Sequence, residues 1–156
     1  MSNTTPLAAL YQRVVQEELG LVAQVDEDGD VLFRHPDLGT MYFSLTEKDP
    51  EFMRLIYPNF VSAEELGMSK DTLLEVLNTV NHRCKAVKLT LPQGGGDAAS
   101  RVSAAIEAVI AAADQLPSED LLRGILARCV SAIRHGAREL LKEALELKEG
   151  AARSAD

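Results

Sequence analysis

Ser100 to Ala113 reads SRVSAAIEAVIAAA, and two periods run through it at once. Its alanines favour helix, and Val102, Ile106, Val109 and Ala113 share one helical face. Val102, Ala104, Ile106, Ala108 and Ile110 also alternate without a break, as the inward side of a strand does. Local pattern leaves both states open. Just ahead, Gln93-Gly94-Gly95-Gly96-Asp97 suits a hairpin loop, and Ala86 to Leu91 alternates Val87, Leu89 and Leu91 against Lys88 and Thr90 until Pro92 ends it. Two strands joined by a glycine-rich loop is the reading this context favours.

Leu116-Pro117-Ser118 then introduces a helix predicted over Ser118 to Leu147, about 30 residues and ~45 Å long at ~1.5 Å per residue. Leu122, Ile125, Cys129, Ile133, Ala137, Leu140 and Ala144 form its expected core stripe, and Gly124 and Gly136 could admit another backbone. The helix is longer than the domain needs. Its far end is expected to overhang, with an apolar stripe that calls for cover from the chain's own loops or from a second subunit.

Toward the N-terminus, Ser69 caps a helix over about 70 to 82, with Asp71 in its first turn and Leu73, Leu74, Val76, Leu77 and Val80 along it. Thr5 caps an opening helix, residues 6 to 19, with Pro6 at its first position and Gly20 as its stop. Leu21 to Asp26 and Val31 to Arg34 are short strands joined by Glu27-Asp28-Gly29-Asp30, where Asp28-Gly29 supplies a tight turn. After the turn Pro36-Asp37-Leu38-Gly39, Thr40 to Thr46 places Met41, Phe43 and Leu45 on one face of a third strand and Tyr42 and Ser44 on the other. Glu51 to Asn59 fits neither period well and is taken as a strand.

The chain has 156 residues, of which 46% are hydrophobic and 26% charged, a balance expected of one domain spanning 1–156 with an ordered core of about 6–147. Met1 to Thr4 and 150–156 read as loose ends, the latter a flexible tail. A net charge of -8 without a local Lys/Arg cluster disfavours nucleic acid and anionic membrane surfaces as ligands. Cys84 and Cys129 lack any metal or redox spacing, and no secretion signal or membrane-spanning stretch is seen, so a cytoplasmic location is expected.

Asp26, Asp28 and Asp30 alternate like the start of a calcium loop. The sixth and twelfth positions of that loop would be Val31 and Asp37 instead of Gly and Glu, so a hairpin turn is the better reading. No Lys-Ser/Thr pair follows the glycine run, which disfavours a phosphate loop. His35, His82 and His135 fall in three elements with no ligand or triad spacing. Arg123, Arg128, Arg134, Arg138 and Lys142 alternate with Glu119, Glu139, Glu143 and Glu146 along the last helix, the pattern of a solvated face with ion pairs. No catalytic residue, cofactor or metal is assigned.

The resulting order is α-β-β-β(-β)-α-β-β-α, an α+β chain with an antiparallel sheet. Together with Asp28-Gly29-Asp30-Val31, Asp49-Pro50-Glu51-Phe52, Asn78-Thr79-Val80-Asn81 and the Lys85 to Leu91 strand, it resembles the YbjN-like bacterial sensory-transduction-regulator family over about residues 6–147. The resemblance implies the type III secretion chaperone-like fold, in which two consecutive strands precede the last helix, and so a strand for 100–110. Secretion chaperones of that fold are small acidic cytoplasmic homodimers that hold a client segment extended along their surface, and the YbjN-like proteins are linked to regulation and stress tolerance.

The expected function is therefore non-catalytic protein binding by a chaperone-like or regulatory adaptor that forms a homodimer. The alternative is a small-molecule or nucleotide sensor with a pocket between sheet and helices. From pattern alone, the sheet face opposite Met41 and Phe43 would expose Leu32, Tyr42, Leu55 and Tyr57 as a surface for a partner strand or helix, although helices could equally cover those four.

Overall fold

The computed structural model describes residues 4–155, without the side chains of Asp97 and Ala98. Expectations for Met1 to Asn3 and for Asp156 fall outside those residues. In chain order the elements are α1 (Pro6–Leu19), β1 (Ala23–Val25), β2 (Val31–His35), β3 (Gly39–Phe43), β4 (Phe52–Ser62), α2 (Ala63–Leu66), α3 (Lys70–Arg83), β5 (Val87–Thr90), a 3₁₀ turn (Asp97–Ser100), β6 (Arg101–Val109) and α4 (Glu119–Ala155). The protein is α+β; the described residues form four helices and one six-stranded antiparallel sheet ordered β1-β2-β3-β4-β6-β5.

The ambiguous stretch is a strand. Val102, Ala104 and Ile106 of β6 are buried while Arg101, Ser103, Ala105 and Glu107 between them are less so, the alternation of a half-wet strand. With neighbours on both sides the strand pairs its N–H and C=O groups in full, as a helix would, and burial of its alternating face outweighs the alanine preference for helix.

Two compact units make up the chain, with β4, β6 and α4 each contributing to both. The first holds residues up to Tyr57 and Ala105–Ser131. Its α1 is capped as expected: Thr5 Oγ1 accepts from the Ala8 N–H at 3.1 Å, and Gly20 turns left-handed at φ 66°. The β1–β2 hairpin closes with Asp26 N–H on Asp30 O at 3.0 Å and with Gly29 at φ 83°. Val31 and Phe33 of β2, Met41 and Phe43 of β3, and Met53 and Leu55 of β4 line the buried face. Tyr11 of α1 meets Phe43 with ring centroids 4.9 Å apart, a tilted pair that contributes about 1 kcal/mol beyond its buried area. Arg123 of α4 bonds Glu17 and Glu18 of α1 and Glu119 one turn away, while Arg13 reaches Glu119 at 2.7 Å. The mixed charges of the last helix here join two helices.

The second unit holds Pro58–Ala104 and Ala132 onward. Leu73, Val76, Leu77 and Val80 of α3 are buried, as are Val87 and Leu89 of β5 and Ile133, Ala137, Leu140 and Ala144 of α4. Gly136 admits β5 closely, because a Cβ there would lie 2.8 Å from Val87 Cγ1. Gly124, in the first unit, has nothing within 4 Å of that position, so only one of the two glycines serves a close approach.

Three expectations need correction, and one element is additional. The strand expected from Ala86 begins at Val87, because Ala86 is left-handed at φ 70°. The stripe of α4 is Leu122, Leu126, Val130, Ile133, Ala137, Leu140 and Ala144, with Ile125 and Cys129 only half-buried at its margin. Spacings of four and three in mixture keep one line of residues in register along a long helix. Residues 150–155, expected as a tail, continue α4: alanines there favour helix, and Ser154 Oγ donates to Gly150 O at 3.0 Å. Finally α2, unforeseen, starts at Ser62, whose Oγ accepts from the Glu65 N–H at 3.1 Å, and stops at left-handed Gly67.

Candidate functional site

Leu32 lies opposite Tyr42, and Tyr42 lies opposite Ile56. Residues paired across antiparallel strands point to the same side, so the three form a row across β2, β3 and β4 on the face away from Phe43. Each is half-buried, whereas their neighbours Val31, Phe33, Met41, Phe43 and Leu55 on the other face are buried. Beside the row, Arg54 Nε bonds Glu107 Oε1 at 2.8 Å. On this surface of the first unit an apolar and aromatic row is flanked by exposed Arg34 and Thr40 on one side and by the Arg54–Glu107 ion pair on the other.

Of the four residues expected here, Leu32 and Tyr42 are brought together. Leu55 is not part of the surface: it pairs with Phe43 and is fully buried. Tyr57, two positions along β4, shares the side of Leu55, and its hydroxyl donates to Leu38 O in the β2–β3 turn at 2.5 Å. Desolvation raises the Tyr57 pKa above its ordinary value, in keeping with that committed hydroxyl. Ile56 takes the place expected for Leu55. The signal for it is Arg54, a charge that belongs on the wet face and carries Ile56 with it at the two-residue period.

A concavity of about 970 Å³ lies elsewhere in the first unit, between the start of α1 (Thr4, Thr5, Leu7), the β1–β2 turn and the segment from Leu45 to Lys48. Asp26, Glu27, Asp28 and Glu47 line it with Lys48 as the one cation among the lining residues. Asp26 Oδ1 accepts from the N–H groups of Asp28 and Asp30, both at 2.9 Å, and Asp30 Oδ1 accepts from Leu45 N–H at 2.9 Å. These carboxylates hold the hairpin and its neighbour loop in shape. Burial pushes the Asp30 carboxyl up, against the lowering pull of the Leu45 amide, and the charges of Asp26 and Asp28 add to the rise. Such a groove repels phosphate groups.

The remaining candidates have structural roles. Gly94 and Gly96 take positive φ in an exposed loop with open space around them. His35 Nδ1 accepts from Asp37 N–H at 3.2 Å within the β2–β3 turn, and His82 and His135 lie exposed on α3 and α4. Both cysteines are unbridged, and burial raises the pKa of each thiol. Among the described residues no three His, Cys, Asp or Glu side chains gather as a metal site, and no helix is long and apolar enough to cross a membrane.

No family model matches the chain, and no curated protein does. Its fold is similar to that of a crystal structure of an uncharacterized protein from Methanothermobacter thermautotrophicus, with a TM-score of 0.51 and 17% identity over 92% of this chain and 97% of that one. At that identity the likeness concerns the fold alone.

Proposed function

We propose that this chain is a non-catalytic, cytoplasmic protein-binding domain, chaperone-like or a regulatory adaptor, that receives a partner polypeptide on the outer face of its sheet. The observation that carries the reading is the in-register row Leu32, Tyr42 and Ile56, half-exposed where the opposite face is closed. Aromatic and aliphatic side chains aligned across strands offer a flat apolar strip that a helix or an extended segment can cover. Kinship with the YbjN-like proteins and their chaperone-like fold belongs to the same proposal. So does a homodimer, supported by Leu141 and Leu145, one turn apart on α4 and 50% and 58% exposed.

A photo-crosslinking residue placed at Tyr42 tests the reading. In cells it should give discrete adducts with other polypeptides, which are absent when the same residue replaces Asp71, exposed in the first turn of α3. Equal adduct patterns from the two positions, or none from Tyr42, would remove the outer face as a binding surface. Light scattering of Leu141→Glu/Leu145→Glu beside the native chain tests the dimer separately. In the rival reading, a small-molecule sensor, the acidic groove is a candidate pocket. Its carboxylates set it against nucleotides, so a nucleotide that raises the melting temperature would favour the rival.

A further inference from the structure

A strand at the rim of a sheet turns the N–H and C=O of every second residue outward, and that row accepts another extended chain. The rim strands here are β1 and β5. Just past β1, Asp26 N–H donates to Asp30 O, and with Val25 opposite Val31 this pairing directs Gln24 toward β2 and Ala23 away from it. The outward groups of Ala23 are taken by α1: Gln12 Nε2 donates to its carbonyl at 2.9 Å, and its N–H donates to Gln16 Oε1 at 3.3 Å.

In the second unit the same device is tighter. Asn81 of α3 spends its whole carboxamide on Leu89 of β5, with Nδ2 donating to Leu89 O at 2.9 Å and Oδ1 accepting from Leu89 N–H at 2.8 Å. A primary carboxamide carries a donor and an acceptor side by side, the pair that an adjoining strand would present. The neighbouring rim amide is also used, since Val87 N–H folds back onto Lys85 O at 2.8 Å. The rim strands are short, three residues in β1 and four in β5, so a single carboxamide-bound residue accounts for much of each edge.

We propose that these helix-borne carboxamides close both edges of the sheet against strand addition, by a second copy of this chain or by an extended partner segment. The closure does not depend on what the outer face binds. It confines partner capture to side-chain surfaces and keeps the alternating, aggregation-prone strands of the sheet from templating growth at its rims.

Hydrogen exchange measured by NMR on the full chain, with a labelled peptide of the β6 sequence (Arg101 to Val109) as probe, tests this. In the native chain the Leu89 amide should be protected. Asn81→Ala should speed its exchange about tenfold, the effect of losing one protein hydrogen bond. The folded variant should also take up the peptide or grow beyond the native oligomeric state as concentration rises. If Asn81→Ala fails to fold, Asn81→Asp keeps the acceptor for Leu89 N–H and removes only the donor to Leu89 O; it should leave Leu89 protected and take up more peptide than the native chain. A native Leu89 amide exchanging as fast as a solvated one overturns the proposal, as does a folded Asn81→Ala chain that ignores the peptide and keeps the native size.

Discussion

Alanine at Gly124 and alanine at Gly136 should move stability in opposite directions, although both glycines lie in α4. In either place the substitution gains about 1 kcal/mol of helix propensity. Around Gly124 no atom lies within 4 Å of the new Cβ, so the gain is kept. At Gly136 the Cβ would meet Val87 Cγ1 at 2.8 Å and Cγ2 at 3.1 Å. Carbon atoms prefer about 3.5–4.0 Å. Val87 is β-branched and buried in β5, so it has no free rotamer to yield, and overpacking of this kind costs about 1–3 kcal/mol. The net for Gly136→Ala is a loss of about 0–2 kcal/mol, and the two variants should differ by about 1–3 kcal/mol. Urea titrations followed by circular dichroism read this as midpoints on either side of the native one at an unchanged slope. In a Val87→Ala background the loss at Gly136 should disappear, a coupling of about 1 kcal/mol or more. Equal stabilisation by both alanines, or a Gly136→Ala cost that persists beside Ala at position 87, would refute the close-contact argument.

Leu55→Ala should cost about 2–5 kcal/mol as a cavity in the core, while Ile56→Ala should cost far less; similar losses in thermal melts would contradict the assignment of faces on β4. Ala86→Gly should stabilise by about 1 kcal/mol, because left-handed backbone strains alanine and not glycine, and an unchanged denaturation midpoint would count against the φ of 70°. Tyr11→Phe should stabilise by about 1 kcal/mol, since the Tyr11 hydroxyl is buried with no hydrogen-bond partner among the described residues. Burial chiefly, and Cys129 secondarily, raise the Tyr11 pKa, so its neutral form is the one the fold favours. That stability is complete below the unfolded tyrosine value of about 10 and declines as pH climbs above it, and in Tyr11→Phe the alkaline decline should be shallower.

What could be read locally was read well, and for one reason: the interactions concerned span four residues or fewer. Thr5 and Ser69 cap their helices, Gly20 ends the first, and Asp28-Gly29 closes the first hairpin. The α2 turn was equally legible in the Ser62-Ala63-Glu64-Glu65 spacing, a capping signal hidden by the strand that runs into it. The antiparallel α+β order followed from these punctuation marks plus the alternation of β2, β3 and β5.

The candidate surface was half legible. Leu32 and Tyr42 sit in strands whose two-residue alternation is clean. Leu55 lies on the other face from the one its pattern suggests, because Phe52, Leu55, Ile56 and Tyr57 carry no clean alternation, and a one-residue error in phase turns a whole strand over. Likewise the buried stripe of α4 runs one residue away from Ile125 and Cys129, where a long helix offers two neighbouring lines of apolar residues.

Sequence alone therefore determined the helix caps, the first hairpin and the order of α1, β1, β2, β3 and α3, because those are settled between residues close along the chain. The state of β6, the faces of β4, the line that α4 buries and the carboxamides laid on Ala23 and Leu89 were settled only by tertiary structure. Each depends on which distant backbone lies alongside, a choice made by packing and hydrogen bonding across the sheet that no local pattern encodes.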